Sequence, residues 1–175
     1  MLNEQVKRKI KRIRALVLDV DGVMTDGKII YDSRGLEVKN FDVKDGYGLV
    51  LFKRMGYKTA IITAKHTIAL SARAKSLRFD KVYQDAYPKL EYYHRLLKDL
   101  SIGEKEVCYM GDDLPDLEIL RRAGFSVGVK DAVAEVRKNV DYITKSKGGS
   151  GAVREVVELI LKTQGKWKQI LRNYL

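Results

Sequence analysis

Short apolar runs alternate with amphipathic stretches along almost the whole chain. Ala15–Leu18, Lys58–Thr63, Lys81–Gln84, Glu106–Met110, Phe125–Val129 and Tyr142–Thr144 are too short for buried helices and read as strands. Between them, apolar positions at helical spacing predict helices over Asp42–Met55, Thr67–Leu77, Pro88–Leu100, Leu114–Ala123, Ala132–Lys138 and Gly151 to about Thr163. Gly56 stops the first of these. Val6, Ile10 and Ile13 share one face of a further helix at the start of the chain. Strands alternating with helices of this length predict an α/β fold: a doubly wound, Rossmann-like parallel sheet. One stretch breaks the alternation. Lys28–Asp32 and Leu36–Phe41, separated by Ser33-Arg34-Gly35, read as a β-hairpin over about residues 27–41, inserted after the first strand.

Length and composition narrow the class. A chain of 175 residues, 45% of them hydrophobic, suits one domain over residues 1–175, with a flexible tail expected over about 164–175. No apolar run approaches the about 18 residues needed to cross a bilayer. The basic N-terminal stretch lacks the apolar core and small-residue cleavage site of a signal peptide. With the single cysteine, Cys108, these features lead to the expectation of a cytoplasmic protein and no membrane partner. The formal charge of +11 concentrates at the ends, in Lys7, Arg8, Lys9, Lys11, Arg12 and Arg14, and in Lys162, Lys166, Lys168 and Arg172. Zinc-ligand spacing and an aromatic RNA-binding signature are both missing. The charge therefore reads as a solvated surface that draws anionic substrates rather than as a nucleic-acid face.

The chemistry gathers at strand ends. Asp19 and Asp21 follow the first strand, and alternation places them on one side. Gly22 lets the chain turn there. Two acids and a backbone carbonyl make an oxygen-only site suited to Mg2+. One carboxylate is then placed to attack phosphorus and the other to handle protons. Thr63 ends the second sheet strand, Lys89 opens the helix after the third, and Gly111-Asp112-Asp113 ends the fourth, with Asp116 one turn on. Singly, each has an ordinary explanation: a solvated turn, a strand-end threonine, a first-turn lysine, an N-cap, or an acid balancing a helix dipole. Together they form the inventory for phosphoryl transfer, and a doubly wound sheet brings such positions to one edge.

Asp19-Val20-Asp21-Gly22-Val23, Thr63, Lys89 and Gly111-Asp112-Asp113-Leu114-Pro115-Asp116 resemble the four motifs of the haloacid dehalogenase-like phosphatases. The longer Asp19–Gly27 run, the hairpin, and Phe41–Gly48 resemble that family's capless branch, which hydrolyses sugar-acid phosphates; Gly148–Glu155 extends the likeness. The resemblance implies Asp19 as nucleophile and Asp21 as acid and base. It implies Mg2+ on Asp19, the Asp21 carbonyl and Asp112, with Asp113 and Asp116 in support. Thr63 and Lys89 are implied to hold the phosphoryl oxygens. It further implies a homotetramer in which hairpins assemble and a neighbouring subunit covers the site in place of a cap domain.

The expected substrate is 3-deoxy-D-manno-octulosonate 8-phosphate, in lipopolysaccharide precursor synthesis. A nine-carbon sugar-acid phosphate, a non-catalytic assembly domain and a nucleic-acid binder are the alternatives. Lys65, Arg73 and Arg154 are the candidates for the sugar carboxylate. The family commonly has Gly-Arg after the second motif. Here Ala64-Lys65 keeps a charge but lacks the planar fork of arginine. Gly148, Gly149 and Gly151 are read either as a helix-leading loop or as a mobile segment carrying Arg154 or the tail toward a neighbouring site.

Overall fold

The computed structural model describes residues 2–172 and Tyr174. Helix α1 (Glu4–Ile10) is capped by the Asn3 side chain and leads into β1 (Ala15–Leu18). A two-strand ribbon follows, β2 (Ile30–Tyr31) and β3 (Glu37–Val38). Then come α2 (Val43–Arg54), β4 (Lys58–Ile62), α3 (Ile68–Leu77), β5 (Lys81–Tyr83), α4 (Lys89–Leu100) and β6 (Val107–Gly111). The chain finishes through α5 (Leu117–Leu120), β7 (Phe125–Gly128), α6 (Ala134–Lys138), β8 (Tyr142–Ile143), α7 (Ala152–Thr163) and α8 (Trp167–Leu171).

The six-stranded sheet runs β5-β4-β1-β6-β7-β8, every neighbouring pair parallel. Its central strands are buried throughout, as expected where helices cover both faces: β1, β6 and β7 expose nothing. Tyr93, Tyr109, Phe52 and Phe125 are the largest fully buried side chains. β1 sits at the point where strand order reverses, with β4 on one side and β6 on the other. In open α/β sheets the crevice beyond the carboxyl ends at that point is where ligands bind.

Helices α2 and α7 pack closely, and their contact explains Asp45 and Gly48. A Cβ on Gly48 would sit 3.3 Å from the Cα of Arg154. Buried Asp45 accepts from the backbone N–H of Arg154 at 2.7 Å and of Gly151 at 3.3 Å, satisfying first-turn donors of α7. Burial pushes the Asp45 carboxyl up to about 6, with those backbone donors opposing the shift.

Two expectations change, and one open alternative narrows. The hairpin is present, but its strands shrink to two residues each, paired Ile30 to Val38 and Tyr31 to Glu37. The segment expected as a flexible tail is helical over Trp167–Leu171, with Ile170 buried and the Trp167 ring facing Arg154 and Lys162; Asn173 and Leu175 lie outside the described residues. The glycine run before α7 is packed. A Cβ on Gly148 would fall 1.7 Å from the carbonyl oxygen of Gly22, and the Gly149 N–H bonds Val23 O at 3.0 Å. Those glycines let one loop lie directly on the turn after β1, in keeping with the helix-leading loop of the two readings.

Candidate active site

The turn after β1 sets the geometry. The Asp19 N–H bonds the Met110 carbonyl at 3.0 Å, which extends the strand by one residue. The Val20 carbonyl then accepts from Val23, Met24 and Thr25, closing a tight turn. Gly22 has φ +94°, and a Cβ there would lie 2.1 Å from Asp112 Oδ2. Any side chain there would be strained at that φ and would have to displace the Asp112 carboxylate.

Lys89, at the first turn of α4, is buried and bridges two carboxylates: Nζ donates to Asp19 Oδ1 at 2.6 Å and to Asp116 Oδ1 at 2.7 Å. Every other contact of Asp116 also holds it in place. Its Oδ1 accepts from the Tyr109 hydroxyl at 2.7 Å, and its Oδ2 from the N–H of Asp112 at 3.1 Å. Asp19, Asp112 and Asp116 bring carboxylate oxygens within 4.8 Å of one another. Asp113 stands apart; it is exposed and caps the turn by accepting from Leu114 N–H at 2.7 Å.

Three carboxylates here face one ammonium. Burial, then the neighbouring Asp116 charge, push Asp19 up to about 6 despite Lys89. Burial and the charge of Asp19 push Asp112 up to about 8. Burial works against the Lys89 ammonium, yet Asp19 and Asp116 hold its proton above the usual lysine range. An aspartate beside a lysine ordinarily moves down; here Asp19 moves up, first because it is buried and then because three carboxylates share one ammonium. That deficit fits a hard divalent cation. Asp19 and Asp112 have oxygens to give it, whereas both oxygens of Asp116 are already engaged. Asp116 therefore fits a supporting place, and the Asp21 carbonyl accepts no hydrogen bond among the described residues.

Asp19, Asp21, Thr63, Lys65, Lys89, Asp112, Asp113 and Asp116 all line one cavity of about 220 Å³. Thr63 is buried at the end of β4, and Lys65 is exposed at the rim. Two expected carboxylate binders are not in that cavity. Arg73 turns toward α2, donating to the Asp42 carbonyl at 3.3 Å with its guanidinium over the Phe41 ring. Arg154 pairs with Glu158 at 2.8 Å and lines a separate hollow with Lys44 and Lys145. Of the three, Lys65 alone lines that cavity.

Two residues of the site escaped the sequence reading. Tyr109 lies in the apolar run of β6, where a buried tyrosine's need for a hydroxyl partner was the available signal. Lys39, just past β3, donates to Asp21 Oδ1 and, at 2.7 Å, to Glu37 Oε1. Its signal was the alternation that sets Glu37 and Lys39 on one side of the ribbon.

A carboxylate held by a buried lysine, a second acid two residues on, and a cluster of carboxylates at one sheet edge fit a phosphoryl-transfer enzyme of the aspartate-nucleophile class. The family model described as haloacid dehalogenase-like hydrolase matches residues 51–156. The chain is 42% identical over 163 residues to the 3-deoxy-D-manno-octulosonate 8-phosphate phosphatase KdsC of Yersinia pestis, covering 93% of this chain and 87% of that protein. It superposes with a TM-score of 0.95 on the Moraxella catarrhalis phosphatase of the same name, solved with magnesium ion, phosphate ion and KDO; identity is 42% and coverage 98% of each chain. The cobalt-bound Haemophilus influenzae phosphatase gives a TM-score of 0.87 at 32% identity, covering 90% of this chain and 92% of that one. The chain belongs to the haloacid dehalogenase-like hydrolases, in the family of the 3-deoxy-D-manno-octulosonate 8-phosphate phosphatases.

Proposed function

We propose that this chain is a Mg2+-dependent phosphomonoesterase that releases phosphate from 3-deoxy-D-manno-octulosonate 8-phosphate in lipopolysaccharide precursor synthesis. The observation that carries the reading is the Asp19 carboxylate, held at Oδ1 by Lys89 and lining the cavity with Asp21, Thr63 and Asp112. The Moraxella catarrhalis relative, solved with magnesium, phosphate and KDO, supports the substrate.

Asp19 attacks phosphorus and forms an aspartyl-phosphate as the bond to the sugar oxygen breaks. The departing oxygen takes the electron pair of that bond and a proton from Asp21. Asp21, now a carboxylate, removes a proton from the water that cleaves the aspartyl-phosphate. Lys89 neutralises the nucleophile, and Thr63 with Lys89 meets the phosphoryl oxygens. Asp19, Asp112 and the Asp21 carbonyl would hold Mg2+, which when bound supplies charge neutralisation for the phosphoryl group. Lys65 is the residue of this chain positioned for the sugar carboxylate.

The same reading includes assembly. Ile29, Ile30, Tyr31, Leu36 and Val38 are exposed on the hairpin, an apolar surface that fits contact between copies in a homotetramer. Among the described residues no helix is long and apolar enough to cross a membrane, and the proposed setting is the cytoplasm.

The test is phosphate release with Mg2+ or chelator over eight-carbon and nine-carbon sugar-acid phosphates and ordinary sugar phosphates. Metal-dependent turnover confined to the eight-carbon acid is expected. Preference for a nine-carbon acid would keep the chemistry and replace the substrate. Asp19→Asn is expected to lose on the order of 10⁴-fold in kcat with the fold intact; unchanged turnover would sink the mechanism.

A further inference from the structure

The hairpin is the most open part of the molecule, yet one of its charged side chains is withdrawn from water. Lys39 exposes only 2% of its side chain, while Ile30, Tyr31, Leu36 and Val38 around it are all exposed. Burying an ammonium is unfavourable unless charged partners meet it. Here Glu37 Oε1 accepts at 2.7 Å and Asp21 Oδ1 accepts as well. These two carboxylates meet the charge that burial would otherwise leave alone.

The contact divides the Asp21 carboxyl into two unlike oxygens. Oδ1 is tied to the hairpin, while Oδ2 has no partner among the described residues and the residue lines the cavity beside Asp19. No other cation contacts it: Lys89 is engaged by Asp19 and Asp116, and Lys65 stands exposed at the rim. Lys39 also lines the hollow of about 550 Å³ between the ribbon and the start of α3, so it stands at the seam between hairpin and cavity.

We propose that Lys39 is a positioning residue for the proton-transfer step, a role that rests on the phosphatase reading above. In that step the bond between phosphorus and the leaving oxygen breaks and the pair goes to oxygen. The proton on Asp21 moves to that oxygen, and Asp21 becomes a carboxylate. Negative charge thus develops on Asp21, one hydrogen bond from a fixed ammonium, where a preorganised charge stabilises the transition state. Fixing Oδ1 also keeps Oδ2 turned to the leaving group, which is what orientation contributes. Hairpin placement and proton transfer are linked through one side chain.

The dependence on leaving group tests this, because only a basic leaving oxygen needs the proton. kcat/KM, which covers steps up to departure of the leaving group, is measured with Mg2+ for wild type, Lys39→Met and Lys39→Arg. The substrates are the sugar-acid phosphate, with an alkoxide leaving group, and p-nitrophenyl phosphate, with a phenolate. Lys39→Met is expected to lose about 10²-fold on the sugar-acid phosphate and less than about threefold on the aryl ester. Lys39→Arg is expected to return to within about tenfold of wild type on both. Binding of the free sugar acid, which has the carboxylate but no scissile bond, is expected to stay within about twofold. Equal losses on the two esters would overturn the proposal in favour of a role in the fold or in phosphoryl binding. Lost affinity for the free sugar acid would overturn it in favour of a carboxylate clamp. Failure of the wild type on every phosphate would instead defeat the phosphatase reading itself.

Discussion

The sheet and the hairpin meet at Asp21, and they are held together in opposite ways. β1, β4, β6 and β7 find all their partners within the chain, and their apolar side chains are buried. The hairpin has two paired positions and five large apolar side chains in the open. A two-stranded ribbon of this size is marginal alone in water. Asp19, Lys89 and the carboxylate cluster rest on the complete part. Lys39, the side chain contacting Asp21, comes from the incomplete part. On the proposed mechanism, attack on phosphorus would need only the sheet edge, whereas proton delivery would also depend on where the ribbon lies.

Removing Lys89 gives the largest expected effect. In Lys89→Met, Asp19 and Asp116 stay buried with no cation, and breaking a buried pair from one side costs on the order of 3 kcal/mol. Phosphate release is expected to fall at least about 10³-fold, because the nucleophile and the phosphoryl oxygens lose their fixed charge. Thermal unfolding without metal, measured beside kcat, separates the two losses. A variant as stable as wild type would mean that the three carboxylates share protons rather than relying on Lys89.

Gly22→Ala strikes the same region through the backbone. Its Cβ would collide with Asp112 and its φ of +94° is strained for any side chain, so a loss of about 1–3 kcal/mol is expected. Mg2+ affinity, read by calorimetry, is expected to fall with it because Asp112 must move. Unchanged affinity would remove Asp112 from the cation site.

Much of the complete region was legible in the chain, and the reason is geometric. A parallel sheet sends every strand's carboxyl end to one edge, so Asp19, Thr63 and Asp112 had to converge once the strands were placed. Lys89 followed from opening the helix after β5. Distance across a helix face is not encoded in this way. Arg73 and Arg154 had the right charge for a sugar carboxylate, but one braces α3 against α2 and the other pairs along α7. Trp167–Leu171 was too short to show a helical period. Lys39 was hidden for a different reason: alternation says which side of a ribbon a residue faces, but not what the ribbon faces.

The charge deficit of the complete region gives a pH prediction. Asp19 at about 6 and Asp112 at about 8 lie above the value near 3.9 of an unfolded aspartate. Between about pH 4 and 8 the folded, metal-free protein therefore binds more protons than the unfolded chain, and its stability falls as pH rises. Mg2+ needs both groups ionised, so its binding strengthens over the same window and releases protons. Saturating Mg2+ is expected to raise Tm by about 5 °C at pH 8 and by much less at pH 5. Equal shifts at the two values would mean that the cation does not meet these carboxylates.

The smallest effect on the fold, and the sharpest test of the hairpin, comes from Ile30→Lys. Ile30 pairs with Val38, and alternation turns both away from the side that carries Glu37 and Lys39. A lysine there leaves the Lys39 contacts untouched and changes a surface position, so unfolding free energy is expected to move by less than about 0.5 kcal/mol. If copies meet through the apolar ribbon, the added charges oppose that contact, and light scattering is expected to show a smaller species than wild type. Turnover of the sugar-acid phosphate should then fall about threefold while the aryl ester is unaffected, because a released ribbon holds Lys39 against Asp21 less firmly. An unchanged mass would put the assembly surface elsewhere. A changed mass with unchanged turnover would show that the ribbon keeps its place on the sheet without a neighbour, and that the two regions are less dependent on assembly than their burial implies.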